Sequence, residues 1–241
     1  MCIRDSCGPA IKCLAVLSGQ GHVLSPLGYV SELAKVFQNL GGTFIQTDVQ
    51  DFEKDADKIS AVLTDQGRFE CHKIVVTAGI WSKPLMTKLG LNVPLEAERG
   101  YHVMYKNPSK MPKNPMMMTT GKFGVTPMTE GLRCAGTVEL GGIHLKPSKA
   151  PIKLLRRRVA EAFPNMTYEG TEEWMGFRPS TPDSLPLIGE LDQSGIFTAF
   201  GHQHVGMTAG PKTGRLIADM IDKRTPNIDM SPYNPARYTE R

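Results

Sequence analysis

The sequence has few cysteines, little excess charge and no long hydrophobic run. Its five cysteines include no CxxC pair, which favours free thiols in a reducing compartment over a disulfide framework. A formal net charge of +4 is weak evidence for a nucleic-acid partner, and the dense basic run 156–158 is typical of the solvated face of a helix. No apolar run approaches about 18 residues, so the sequence predicts no membrane-spanning helix.

Several catalytic motifs are also missing from the sequence. It has no GxSxG elbow, no GxxxxGK[ST] phosphate loop and no HExxH, so nothing supports hydrolysis through an activated serine or a zinc-bound helix. A GxGxxG fingerprint after a first strand is missing too, because Gly19-Gln20-Gly21 is not followed by glycine at the required spacing. The first half of a dinucleotide-binding unit is therefore not recognisable in this chain.

Residue spacing predicts an α/β region over residues 20–92. Ser25 and Pro26 are typical of a helix start, and Gly41-Gly42 of a helix end. The remaining predicted elements of this region are a strand over 43–52, a hairpin around 65–67, a strand over 73–79 that is buried on both faces of a parallel sheet, and a short helix over 82–89.

The middle of the chain, 93–183, has the pattern of an α+β unit with an antiparallel sheet. It combines a long strand over 93–105, a loop over 106–120 and a hairpin around 130–131. A helix over 151–163 and a strand over 173–179 complete it. The segment 184–225 then returns to a short apolar strand, 195–200, and a helix whose start is predicted at 208–211. Segments 1–19 and 226–241 are terminal.

Two stretches contain candidate functional residues. The turn GHQHVG (201–206) lies between a strand and a helix, where glycines permit close backbone approach and the helix start favours an anion. His202 and His204 on this turn lack a nearby carboxylate or thiolate, which argues against a metal site. In GFRPSTPDSLPLIG (176–189), Arg178 lies among apolar residues. Either it forms a structural ion pair with Asp183 or Glu173, or it binds an anionic ligand.

An ordered set of stretches resembles the flavin-dependent D-amino-acid oxidase and dehydrogenase superfamily, and most of all the bacterial D-amino-acid dehydrogenases of the small-subunit type. The stretches are GHVLSPLGYVSELAKVFQNLGG (21–42), IVVTAGIWSKPL (74–85) with VPLEAERGY (93–101), TPMTEGLRCAGTVELGG (126–142), and GFRPSTPDSLPLIG (176–189) with GHQHVGMTAGPKTGRLIADMI (201–221).

The resemblance implies an α/β plus α+β fold, in which an FAD-binding Rossmann-like domain is interleaved with an antiparallel-sheet substrate domain. Segments 20–92 and 184–225 would then belong to the FAD-binding domain, and 93–183 to the substrate-binding domain. Because the family's first strand and GxGxxG loop should precede residue 20, we expect an N-terminally truncated chain that is inactive alone.

The resemblance also implies roles for individual residues. Arg178 matches the arginine that receives the substrate carboxylate, and His204 falls where relatives carry a basic side chain near the flavin, stabilising its reduced, anionic form. The implied FAD contacts are Val49, Ala78, Gly79, Trp81, Gly201, His204, Val205, Gly206, Met207 and Thr208. No metal is implied. The tyrosine that helps bind the carboxylate in oxidase relatives is not matched here, and Tyr101 and Tyr105 are either its substitutes or packing residues.

The implied reaction is FAD-dependent oxidative deamination of a D-amino acid. Hydride passes from Cα to flavin N5, and the imine hydrolyses to a 2-oxo acid and ammonia. The alternatives are a glycine/sarcosine or cyclic secondary amine oxidase or dehydrogenase, and, in a different class, a non-catalytic fragment or partner-binding subunit. The electron acceptor, whether quinone, oxygen or another protein, stays open. The expected location is the cytoplasm, where a peripheral contact with the inner membrane also stays open.

Overall fold

A computed structural model of the chain describes residue 11, residues 15–19 and residues 21–238. The described chain divides into two compact units. Unit 1 combines the part up to Thr43 with Arg99–Gly176, and unit 2 combines Phe44–Glu98 with the part from Phe177 onward. The predicted domain boundaries at 20–92, 93–183 and 184–225 remain predictions.

Unit 1 is built on the five-stranded sheet β6-β7-β8-β5-β9. The hairpin predicted around 130–131 is confirmed, since Met128 pairs with Gly131 and the two strands are antiparallel. The strands are β5 (Glu96–Lys106), β6 (Met116–Met118), β7 (Phe123–Met128), β8 (Gly131–Leu140) and β9 (Gly170–Ser180). The first residues of β5, up to Glu98, and the last residues of β9, from Phe177, belong to unit 2.

Among its described residues, unit 1 contains the helices α1 (Pro26–Asn39) and α3 (Lys149–Ala162). Ile152, Leu155 and Val159 recur at helical spacing along α3, and this face packs into the unit's buried core. The Ser25 hydroxyl caps α1 by accepting from the Gly28 N–H at 3.2 Å, as the sequence predicts. No residue of α1 is buried in the described part of the chain.

Unit 2 contains two three-stranded sheets, β1-β2-β3 and β10-β11-β4. The predicted parallel strand is confirmed, because β4 pairs with β11 in parallel. The predicted burial of this strand on both faces is not confirmed, since Val75 is 38% exposed.

The described elements of unit 2 are β1 (Val49–Asp55), β2 (Lys58–Thr64), β3 (Gly67–Glu70), β4 (Ile74–Val76), α2 (Ser82–Lys88), β10 (Leu187–Leu191), β11 (Ile196–Phe200), α4 (Gly206–Ile221), and 3₁₀ turns at Gly79–Trp81, Ser231–Tyr233 and Pro235–Tyr238.

The predicted α/β plus α+β fold class is confirmed, but several elements differ from expectation. The predicted strand 43–52 begins only at Val49, and a short strand, β6, lies in the segment predicted as a loop. Helix α4 begins at Gly206, so Pro211 lies inside the helix instead of marking its start. Pairing decides the strand cases, because strands as short as β6 exist through their partner strand rather than through a local pattern.

The two described cysteines, Cys71 and Cys134, are free. Burial raises the pKa of the Cys134 thiol to about 12, and its side chain is 0% exposed. Cys71 is partly exposed, although burial also raises its pKa.

We therefore expect iodoacetamide at pH 8 to leave Cys134 unmodified in the folded protein while Cys71 reacts slowly, because the reacting species is the exposed thiolate. Peptide mass spectrometry after timed quenching measures both sites, and the same reaction in denaturant serves as control. Equal labelling of the two peptides before unfolding would contradict the buried position of Cys134.

Candidate active site

Arg178 lies in β9 with a buried, unpaired guanidinium nitrogen. Its Nη1 atom has no hydrogen-bond partner among the residues that the structure describes. The two acids considered as ion-pair partners are engaged elsewhere. Asp183 pairs with Arg237 at 2.8 Å, and Glu173 pairs with Arg156 at 2.9 Å. The structural ion-pair explanation of Arg178 is therefore wrong.

The electrostatics around Arg178 leave its charge only partly compensated. Burial lowers the pKa of the Arg178 guanidinium, because desolvation disfavours the charged form, and the charge of Glu98 opposes that shift. The two side chains, both within the described chain, nevertheless form no direct salt bridge. An anion that bound to Nη1 would restore the missing hydrogen bond and neutralise the charge.

Glu98 is a polar residue of this region that the sequence reasoning missed. It lies near the start of β5, is 23% exposed, and places Oε2 3.3 Å from Nε2 of His204. Its signal was present in the stretch LEAERGY (95–101), where acids interrupt a strand that is otherwise largely buried. The pattern of apolar and polar residues along the strand could not show which basic side chains lie near Glu98, since Arg178 and His204 are distant in sequence.

Tyr101 and Tyr105 do not substitute for the missing carboxylate-binding tyrosine. Both side chains are buried in the core of unit 1. The Tyr101 hydroxyl donates to Glu139 and accepts from the Ser148 N–H at 3.1 Å. The packing interpretation of both tyrosines is therefore confirmed.

The turn 201–205 is fixed by side-chain and backbone hydrogen bonds. Gly201 has φ +88°, and a Cβ there would lie 3.2 Å from the Thr181 methyl group, so this position favours glycine. Gln203 donates from Nε2 to the Thr181 carbonyl at 3.1 Å. Helix α4 then begins at Gly206 without a side-chain cap from the described residues. The Thr208 N–H donates to the Val205 carbonyl at 3.0 Å, so the N–H groups that could meet an outside acceptor are those of Gly206 and Met207.

The two histidines of this turn have different surroundings. His202 Nε2 lies 2.9 Å from the Thr213 hydroxyl, and burial lowers the pKa of His202. His204 is about half exposed and faces Glu98. Within residue 11, residues 15–19 and residues 21–238, no three His, Cys, Asp or Glu side chains cluster as metal ligands do.

The second glycine turn follows β4. Gly79 has φ +56°, a conformation that disfavours any side chain. Trp81 is 55% exposed, and its ring contacts Phe177 edge-on with 6.0 Å between centroids. The Ser82 hydroxyl is fully buried and unpaired in the described structure. All the sequence-predicted site residues, from Val49 to Thr208 and including Arg178, lie in unit 2.

Comparison with known families identifies the family of the chain. The profile of the family described as "DAO: FAD dependent oxidoreductase" matches residues 5–220. The chain belongs to the DAO family. DAO-family proteins are FAD-dependent oxidoreductases, so the predicted family and the predicted FAD cofactor are confirmed.

Individual relatives support the same family membership. A D-amino-acid oxidase from Bradyrhizobium diazoefficiens is 36% identical over 228 residues, covering 92% of this chain and 54% of that protein. A glycine oxidase from Pseudomonas aeruginosa is 30% identical over 194 residues, covering 79% of this chain and 53% of that protein. The chain thus spans about half the length of these curated relatives.

A solved DAO-family structure shows the same fold. L-proline dehydrogenase from P. horikoshii superposes with a TM-score of 0.76 at 21% identity, covering 89% of this chain and 60% of that one. In the described part of this chain, no helix is both long and apolar enough to cross a bilayer.

Proposed function

We propose that this chain contributes the substrate-binding residues and part of the flavin contacts of an FAD-dependent enzyme that oxidatively deaminates D-amino acids. The observation that carries the proposal is the buried, unpaired Nη1 of Arg178 in the described structure. A planar guanidinium presents two N–H groups that match the two oxygens of a carboxylate, which a lysine could not do. The D-amino-acid oxidase relative supports the choice of substrate class.

The two glycine turns and the start of α4 have features that suit FAD binding. Gly79 and Gly201 have positive φ, which favours glycine, and the absence of a side chain lets a ligand approach the backbone closely. The start of α4, which has no side-chain cap among the described residues, offers N–H groups to an electron-rich edge. We assign the turn 78–81 and the backbone of Val49 to the adenosine and diphosphate part, and the turn 201–208 to the flavin ring. Bound FAD supplies a two-electron acceptor.

The chain's own residues perform the remaining work of the reaction. Arg178 fixes the substrate through its carboxylate and so limits the orientations that Cα can adopt, which is a large part of catalysis in a positioned site. His204, next to Glu98, places a basic side chain beside the turn assigned to the flavin ring, where it would stabilise negative charge. The imine product needs only water to hydrolyse.

A substrate panel tests this proposal. The protein that carries this chain is loaded with FAD and offered D- and L-amino acids, glycine, sarcosine and D- and L-proline with an artificial electron acceptor. We expect acceptor reduction, 2-oxo acid and ammonia with D-amino acids at the highest kcat/KM. The matched control is each amino acid's 2-hydroxy analogue, which keeps the carboxylate and lacks the amine.

The panel also decides between the alternatives. Turnover of glycine, sarcosine or proline alone would favour an amine oxidase or dehydrogenase of the second class, which the 30% identical glycine oxidase supports. A protein that retains no flavin and turns over no substrate would contradict the proposal and favour a non-catalytic, partner-binding role. Repeating the assay with oxygen and with a soluble quinone identifies the acceptor.

A further inference from the structure

The carboxylate of Glu98 lies near two basic side chains of the site, His204 and Arg178. Its Oε2 lies 3.3 Å from Nε2 of His204. Its charge acts on Arg178 without a direct salt bridge between them in that part of the chain. A carboxylate accepts several hydrogen bonds, so a single histidine leaves most of that capacity unused.

Arg178 and Glu98 carry opposite charges but form no salt bridge with each other in the described structure. In a partly desolvated site, a direct salt bridge between Arg178 and Glu98 would lower the electrostatic energy. Their separation leaves room for a ligand that contacts both side chains. Arg178 instead keeps an unused donor, Nη1, within the described structure, and Glu98 pairs with His204. An α-amino acid offers the complementary arrangement, because its carboxylate and its amine are attached to the same carbon.

We propose that Glu98 is the amine-binding residue of this site and, with Arg178, selects ligands that carry both an α-carboxylate and an α-amine. The inference rests on the proposed function, since it places the substrate carboxylate on Arg178. The carboxylate of Glu98 accepts an N–H of the amine whether that nitrogen is protonated or neutral. His204 contacts the same carboxylate, with its Nε2 3.3 Å from Oε2 of Glu98.

A matched pair of ligands that cannot be oxidised tests the inference. 2-Aminoisobutyrate carries both groups but has no Cα hydrogen, and isobutyrate has the same carbon skeleton without the amine. Dissociation constants for the FAD-loaded protein are measured by titration calorimetry, which does not depend on turnover. We expect the wild-type protein to bind 2-aminoisobutyrate more tightly than isobutyrate.

The substitution Glu98→Gln should weaken 2-aminoisobutyrate binding about ten- to hundredfold, the usual range for one charge-assisted hydrogen bond. Isobutyrate binding should stay unchanged or tighten, because a negative charge beside its carboxylate is removed. Glu98→Asp, which keeps the charge on a shorter side chain, should lie between. Glu96→Gln is the matched control, since Glu96 is an exposed acid on the same strand.

The outcomes separate the inference from its rivals. An equal loss of both ligands in Glu98→Gln, or no loss of either, overturns the inference. If Glu98 acts only by holding His204, then His204→Gln will abolish the preference for 2-aminoisobutyrate as completely as Glu98→Gln does, which also overturns it. If Arg178→Gln leaves isobutyrate binding intact, the proposed carboxylate site is what fails.

Discussion

Replacing Arg178 with leucine should weaken the binding of isobutyrate by at least about a hundredfold, because two charge-assisted hydrogen bonds are lost together. The same variant should be as stable as the wild type or more stable, since a buried guanidinium nitrogen without a partner in the described chain costs free energy in the empty site. Opposite effects on binding and on stability are typical of a residue retained for function.

Two measurements check this expectation on the same samples. Titration calorimetry gives the dissociation constant of isobutyrate, and urea unfolding gives the free energy of unfolding. Arg178→Lys keeps the charge without the planar fork and should recover only part of the affinity. A leucine variant that unfolds more easily but binds isobutyrate normally would make Arg178 a structural residue.

Replacing Arg99 with methionine should destabilise the protein by about 3–5 kcal/mol, the range for breaking a buried charged network. Arg99 is 1% exposed. Its guanidinium donates to the carbonyls of Gly142 at 2.8 Å, Gly141 at 2.9 Å and Leu145 at 2.8 Å. The segment that follows β8 is therefore attached to β5 through this side chain.

The acceptors around Arg99 explain why methionine cannot replace it. Lys146 contributes a further carbonyl at 3.2 Å, and Glu139 lies 3.5 Å from Nη1. Hydrogen bonds from Ser148, Tyr101 and Arg99 hold the pKa of Glu139 below its usual value. Methionine is a long, flexible side chain but donates to none of these oxygens, and it would leave buried acceptors unpaired.

Urea unfolding measures the Arg99→Met effect, and limited proteolysis locates it. Cleavage should increase first within 141–147, the segment attached by Arg99. Arg157→Met is the matched control, because the Arg157 side chain is mostly exposed and surface substitutions usually change stability by less than about 0.5 kcal/mol. An Arg99 variant no less stable than this control would refute the attachment.

Much of the fold was predictable because its signals are local. The capping serine and proline at the start of α1, the apolar spacing of α3 and the turn between β7 and β8 all lie within a few residues of the elements that they define. Strand β6 was not predictable in this way, because three methionines form a strand only when β7 supplies the hydrogen bonds.

In the candidate site, too, local features were predictable from the sequence and long-range contacts were not. Resemblance of ordered motifs was enough to select Arg178, His204 and the two glycine turns, since these depend on residue identity and spacing. Pairing between charges was not predictable. Asp183, five residues from Arg178, instead pairs with Arg237, which is 54 residues further along the chain.

The sequence by itself determined the family, the order of most helices and strands, and the arginine that matches a carboxylate-binding position. Only the tertiary structure decided that this arginine keeps a buried nitrogen unpaired by any described residue, that Glu98 lies against His204, and that Tyr101 and Tyr105 are buried in a core. The physical reason is the sequence distance between the interacting residues. Local conformation follows from neighbouring residues, whereas the partner of a charge is whichever opposite charge the folded chain brings within a few ångströms.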